Sequence, residues 1–300
     1  MRWRRGDADC PLLSGKHVKL ARFTVEGSTR VGKIIGETVI DLSGVQGVTA
    51  SMRQVITDLE RLRPSLESAS GPIFSLTDVR LEAPIDDPQK FLAIGMNYQA
   101  HAEESRAAGH KVPTTQLWFN KQVSCIAGPF ADVERPVVSD ELDYEAELAY
   151  VIGRKCRNVP HEQALSVVAG YLICNDVTVR DWQHRTPTFT LGKSFDTHGP
   201  IGPWITTSDE IGDAEDLTMT LSVNGDERQR TSTNDLIYKI ADQIAYLSTV
   251  MTLYPGDLIA TGTPAGIAAV TRNWLKPGDV VRIEIEGLGH IENRIVQATA

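Results

Sequence analysis

The run DYEAELAYVIG, residues 143 to 153, does most to limit what this chain can fold into. Its aromatic and β-branched residues and the apolar tail Leu148, Tyr150, Val151, Ile152 favour a strand that stops at Gly153. Strand side chains alternate between faces, so Glu145 and Glu147 point the same way, with Cα atoms ~6.6 Å apart. Two carboxylates that close on a half-buried face repel each other, and a shared cation would relieve the repulsion. A bare pair of this kind is ordinarily a solvated strand edge, so the argument needs further segments.

The second segment is the apolar run YLICN, which ends in Asp176 and leads into Arg180, Asp181 and Gln183. Glu145, Glu147 and Asp176 together, with no cysteine or histidine ligand nearby, suit a hard cation such as Mg²⁺ or Mn²⁺ and disfavour Zn²⁺. Ca²⁺ is a further hard cation that such a site could hold in a crystal. The third segment, LGKSFD, places Lys193 after a glycine that lets the backbone turn or approach another group closely. Alone, that lysine would be read as reaching out to solvent.

Along the chain, Val18 to Leu42 gives three short β-rich runs with glycine turns, an antiparallel meander. Residues 50 to 63 predict one helix, with Met52, Val55, Ile56, Leu59 and Leu62 at helical spacing and Pro64 as its stop. The break at IDDPQK divides a small N-terminal domain, 1–85, from a larger one, 86–300. QAHAEESRAAG reads as a short helix stopped by Gly109, with His101 and Glu104 three apart and able to touch. A surface ion pair and a functional pair account equally well for that spacing.

Lys121, in the extended segment QLWFNKQVSC, reads as structural, and His17, His161 and His184 as surface or capping residues. PHEQALSVV carries an apolar helical face before a strand, and Asn224-Gly225 marks a hairpin. NDLIYKIADQIAYLSTVM predicts an amphipathic helix with Leu236, Ile237, Ile240, Ile244 and Leu247 on one face. PGDLIATGTPAG is a strand and a glycine-rich turn without the lysine of a phosphate loop. The closing strands place His290 towards solvent. Strands outnumber helices without regular alternation, which gives a β-rich α+β class and excludes doubly wound or barrel α/β folds.

A formal charge of −9 argues against nucleic-acid binding. No apolar run approaches a membrane span, and the basic opening around Arg2, Arg4 and Arg5 reads as a solvated terminus without a signal segment. Cys10, Cys125, Cys156 and Cys174 are widely spaced, which fits reduced thiols in a cytoplasm.

Taken in order, GMNYQAHAEE, DYEAELAYVIG, NDVTVRDWQ, LGKSFDTHGPIGPW, PGDLIATGTPAG and IEIEGLGHIENRIV resemble the fumarylacetoacetate hydrolase family over residues 89 to 300. The resemblance implies a mixed β-sandwich roll and a homodimer. It implies Glu145, Glu147 and Asp176 as metal ligands, Arg180, Gln183 and Thr263 around the substrate, and Lys193 as a catalytic group. It also turns the His101–Glu104 helix into a mobile lid carrying a water-activating pair. His198 stands where relatives often carry an aromatic residue and takes no role by this resemblance.

The implied reaction is hydrolysis of a C–C bond in a 2,4-dioxo acid such as an acylpyruvate or fumarylpyruvate, with an enolate leaving. The lid, Gln99 to Gln116, and Thr186 to Thr190 would set the acyl group accepted. The same apparatus serves an isomerase of the 2-hydroxyhepta-2,4-diene-1,7-dioate type or an oxo-acid decarboxylase. A metal-binding protein without turnover is the remote alternative.

Overall fold

The computed structural model describes residues 18–109 and 111–299. The readings of Arg2, Arg4, Arg5, Cys10, His17 and His110 lie outside the described residues. The chain opens on the expected antiparallel meander, β1 (Lys19–Val25), β2 (Ser28–Ile35) and β3 (Thr38–Asp41). The helix expected over 50–63 is two helices, α1 (Met52–Thr57) and α2 (Leu59–Glu67). Asp58 divides them, closing one and opening the other. Pro64 does not stop α2: the one donor it removes would have met the carbonyl of Glu60, and both residues are exposed.

Next come β4 (Ile73–Ser75), β5 (Arg80–Glu82), β6 (Phe91–Gly95), α3 (Gln99–Ala107) and β7 (Leu117–Lys121). Short strands β8 (Ile126–Ala127), β9 (Val133–Arg135) and β10 (Leu142–Asp143) lead to β11 (Ala146–Ile152). The PHEQALSVV segment is a 3₁₀ stretch, His161–Val167, that runs into β12 (Val168–Asn175). It is followed by β13 (Thr178–Val179), the single turn α4 (Arg180–Gln183) and β14 (Gly199–Thr207).

The hairpin of β15 (Thr218–Val223) and β16 (Asp226–Ser232) turns at Asn224 and Gly225, both at positive φ as the sequence requires. Helix α5 (Ile240–Val250) starts later than expected, because Asp242 accepts the Lys239 N–H at 2.9 Å and fixes the first turn there. Ile237 precedes it and is exposed. The chain finishes with β17 (Leu258–Ala260), α6 (Ala268–Thr271), β18 (Val280–Ile285) and β19 (Gly289–Gln297).

The large sheet runs β4-β3-β2-β1-β14-β12-β11-β17-β6-β7, with β5 beside β1 and β8 beside β14. A smaller sheet, β16-β15-β18-β19-β9, packs on it, chiefly through β19 against β14, giving a strand-rich α+β sandwich roll. Strands β11 and β12 are buried on both faces. Leu148, Tyr150 and Ile173 join the core shared with Leu221, Ile283 and Ile291 of the small sheet. Ala149, Val151 and Leu172 join the core shared with Val55 and Ile56 of α1. By strand alternation Glu145 and Glu147 continue the Ala149–Val151 side.

The Asp86–Pro88 loop lies between β5 and β6, and β1 pairs across it with β14, Leu20 opposite Ile205.

Candidate metal centre and active site

Pairing of β11 with β12 sets Ala146 opposite Asn175, so Glu145 at the head of one strand meets Asp176 at the tail of the other. The Asp176 N–H donates to the Glu145 carbonyl at 2.9 Å. The same register leaves Glu147 one strand period further in. Ligand oxygens of Glu145, Glu147 and Asp176 all lie within 4.8 Å of one another, and all three residues are buried.

Cations from three segments meet these acids. Lys193 Nζ donates to Glu145 Oε2 and Asp176 Oδ2, each at 2.8 Å. Arg180 bridges Asp143 (2.8 Å) and Glu145 (2.6 Å), and donates to Gln183 Oε1 at 2.9 Å. Lys121 Nζ donates to Asp176 Oδ1 at 2.7 Å and, in a very short contact, to the Lys193 carbonyl. Burial would raise the Asp176 carboxyl, but Lys121 and Lys193 hold it below the usual carboxylate range. Burial likewise works against the Lys121 ammonium, and Asp176 more than reverses it.

Glu147 differs. Its Oε2 accepts the Gly262 N–H at 2.8 Å, and among the described residues no lysine or arginine pairs with it. Burial pushes its carboxyl well above the usual range, and Asp176 and Glu145 push the same way. A buried, unpaired carboxylate facing two others, with oxygen as the sole donor, fits a hard divalent cation. Four carboxylates here, Asp143 included, face three cations, and a divalent ion would turn that excess of negative charge positive.

Glu145, Glu147, Arg180 and Lys193 open into a cavity of about 400 Å³, whose lining also includes His101, Gln183, Thr263 and Phe189. Helix α3 is docked over it: the Ala100 N–H donates to Asp235 at 3.0 Å, and His101 is buried. His101 Nδ1 meets Glu104 Oε2 at 3.1 Å, and Glu104 Oε1 accepts from Gly266 N–H at 3.3 Å. A carboxylate can only accept, so the proton on that bond sits at Nδ1, and Nε2 is the basic nitrogen.

The structure thus brings together every site residue singled out from sequence, and adds three. Lys121, read as structural, sits on Asp176. Asp143 accepts from the N–H groups of Ala268 (2.7 Å) and Ala269 (2.9 Å) as well as from Arg180, fixing α6 to the arginine. Gln229 accepts from Ala146 N–H and donates to Thr263 Oγ1, both at 3.0 Å, tying the glycine-rich turn to β11. His184, read as surface, is exposed yet lines the cavity. Gly192 earns its place by close approach: a Cβ there would lie 2.2 Å from the Gln183 nitrogen.

The family model for the fumarylacetoacetate (FAA) hydrolase C-terminal region matches residues 90–296. The chain belongs to the fumarylacetoacetate hydrolase family. It is 38% identical to a mitochondrial oxaloacetate tautomerase of Xenopus laevis over 98% of this chain and 94% of that protein. Among solved structures it resembles a maleylpyruvate hydrolase from Sphingobium sp. SYK-6 in complex with manganese(II) and pyruvate, at 37% identity and a TM-score of 0.81, covering 94% of this chain and 100% of that one. It also resembles a 2-hydroxyhepta-2,4-diene-1,7-dioate isomerase from Mycobacterium marinum, at 32% identity and a TM-score of 0.76, covering 94% and 100%. Members of this family are enzymes, and no helix among the described residues is long and apolar enough to cross a membrane.

Proposed function

We propose that this protein hydrolyses the C3–C4 bond of a 2,4-dioxo acid, with Glu145, Glu147 and Asp176 holding Mg²⁺ or Mn²⁺. The observation that carries the reading is that His101, paired with Glu104, lines the same cavity as Glu145 and Glu147. An enolate-stabilising site alone enolises; a base poised over it also activates water. A divalent cation held by the triad supplies a Lewis acid for the oxygens of a 2-oxo acid.

The chain's own residues divide the remaining work. His101 Nε2 takes a proton from water while the water oxygen bonds to C4. The C3–C4 bond then breaks, C4 leaves as a carboxylic acid that ionises, and the electron pair stays on the pyruvate enolate. Protonation of C3 by the imidazolium yields pyruvate and returns His101 to its neutral form. Lys193 and Arg180, whose charges are already fixed in place, face the developing oxyanion without reorganising. Glu104 orients the imidazole and supports its charge, and Thr263 on its braced turn meets the far carbonyl.

The test is a turnover screen of the metal-loaded protein with acylpyruvates, fumarylpyruvate, 2,4-dioxo sugar acids and oxaloacetate. Release of pyruvate with one water-derived oxygen in the acid product is expected. A second reading, keto–enol tautomerisation or isomerisation, is favoured by the Xenopus and Mycobacterium relatives. Enol-to-keto conversion of oxaloacetate, with every dioxo acid left intact, would favour it over hydrolysis.

A further inference from the structure

The cavity has two unlike ends. Its buried lining holds Glu145, Glu147, Arg180 and Lys193, its walls include Ile94, Leu117, Phe119 and Phe189, and Arg272 lines the cavity from an exposed position. Arg272 follows α6, whose first two N–H groups are pinned to Asp143. A single helical turn, about 6 Å of rise, separates the Arg272 backbone from the Ala268 N–H held by Asp143.

Two features set Arg272 apart from a surface arginine. Its backbone is left-handed, φ 55° and ψ 26°, with its N–H closing on the Ala268 carbonyl at 2.7 Å. Glycine takes that conformation freely and a side-chain-bearing residue at a cost, so an arginine there calls for a reason. Further, its guanidinium takes part in none of the ion pairs among the described residues. Arg106 and Arg157 likewise enter no ion pair among the described residues, but of these three arginines only Arg272 lines the cavity.

We propose that Arg272 binds a second carboxylate at the far end of the substrate, so that the site takes dicarboxylic oxo acids in preference to simple acylpyruvates. The inference rests on the 2-oxo-acid reading above. The guanidinium fork matches a carboxylate with two parallel hydrogen bonds, and the apolar walls between the two ends suit an uncharged carbon chain. Arg272 is a specificity residue here and takes no part in the bond-breaking step.

The test compares fumarylpyruvate, which has the second carboxylate, with acetylpyruvate, which lacks it, on the Mn²⁺-loaded protein and on Arg272→Met and Arg272→Lys. Wild type should prefer fumarylpyruvate in kcat/KM. In Arg272→Met that preference ratio should fall about tenfold to a hundredfold, the worth of a charge-assisted pair, mainly through KM. Arg272→Lys should recover part of it, and the melting temperatures should match wild type. A wild type that turns over both acids without preference, with an unchanged ratio in Arg272→Met, overturns the Arg272 inference and leaves the dioxo-acid reading standing. A wild type that turns over neither acid removes that reading, and the inference with it.

Discussion

Two buried histidines show how far a single residue's neighbours decide its chemistry. His101 has a carboxylate on Nδ1 at 3.1 Å and a cavity in front of it. His101→Ala should lower turnover about a hundredfold to ten-thousandfold, the usual worth of a general base, while Mn²⁺ affinity measured by calorimetry stays near wild type. Loss of metal binding in that variant would show that the helix builds the centre rather than serving it. His198 has no such partner: Nε2 donates to the Glu134 carbonyl at 2.8 Å, and Nδ1 is buried with no partner. Burial holds its pKa at about 4, against 6.5 in the unfolded chain. The unfolded chain therefore binds a proton that the native state refuses between those values. Stability should be intact above pH 6.5 and fall by about 1.4 kcal/mol per unit between there and pH 4. His198→Phe should flatten that slope in urea melts at pH 7, 6 and 5, and parallel losses in both proteins would rule His198 out as its source. The clustering of the three acids was legible from sequence because a strand period and one local run carry it. Lys121, Asp143 and Gln229 were not, since their partners lie 55, 37 and 83 residues away and nothing local marks them.

At the scale of elements, the strands were legible and the helices less so. A strand declares itself by alternation and by its glycine stops, as β11 and the Asn224-Gly225 hairpin do. Helical spacing, however, does not say where hydrogen bonding starts. Leu236 and Ile237 keep the period of α5 but lie outside it, because Ile237 N–H goes to the Asn97 carbonyl at 2.8 Å instead. The apolar period of α1 and α2 likewise runs straight through the break at Asp58. The loop carrying Lys193 depends on a contact that sequence could only suggest. Gly192 packs on the backbone of α4, with the Gln183 Cα 2.4 Å from where a Cβ would stand. Gly192→Ala must part the loop from α4, moving Lys193 and Gln183 together. We expect a loss of about 1 to 3 kcal/mol in stability, as for overpacking, and a larger loss of turnover. Gly212→Ala, with open space around it, is the control. Equal denaturation midpoints for the two variants would mean the loop yields without strain.

At the scale of the whole molecule, the N-terminal segment and the centre share one framework. Its meander continues the large sheet through β1 on β14, and the Thr207 N–H donates to the Val18 carbonyl at 3.1 Å. Its helices cover one face of the strands that hold the acids: Val55 and Ile56 share a core with Ala149, Val151, Leu172 and Leu258. Composition changes at Asp86 to Pro88, but a composition break does not report whether two segments bury their apolar surface in common. Sharing of this kind predicts one cooperative unfolding transition for the full chain, with calorimetric and van't Hoff enthalpies equal. It also predicts that a chain of residues 86–300 alone, with that face bared, binds hydrophobic dye and loses Mn²⁺ binding, because β11 and β12, which position Glu147 and Asp176, lose their packing against α1. Leu20→Ala, which cuts the shared core without breaking the chain, should cost about 2 to 5 kcal/mol and lower the single transition as a whole. A shortened chain that melts cooperatively and still binds Mn²⁺ would show instead that the catalytic part carries its own stability, with the meander and helices an addition to it.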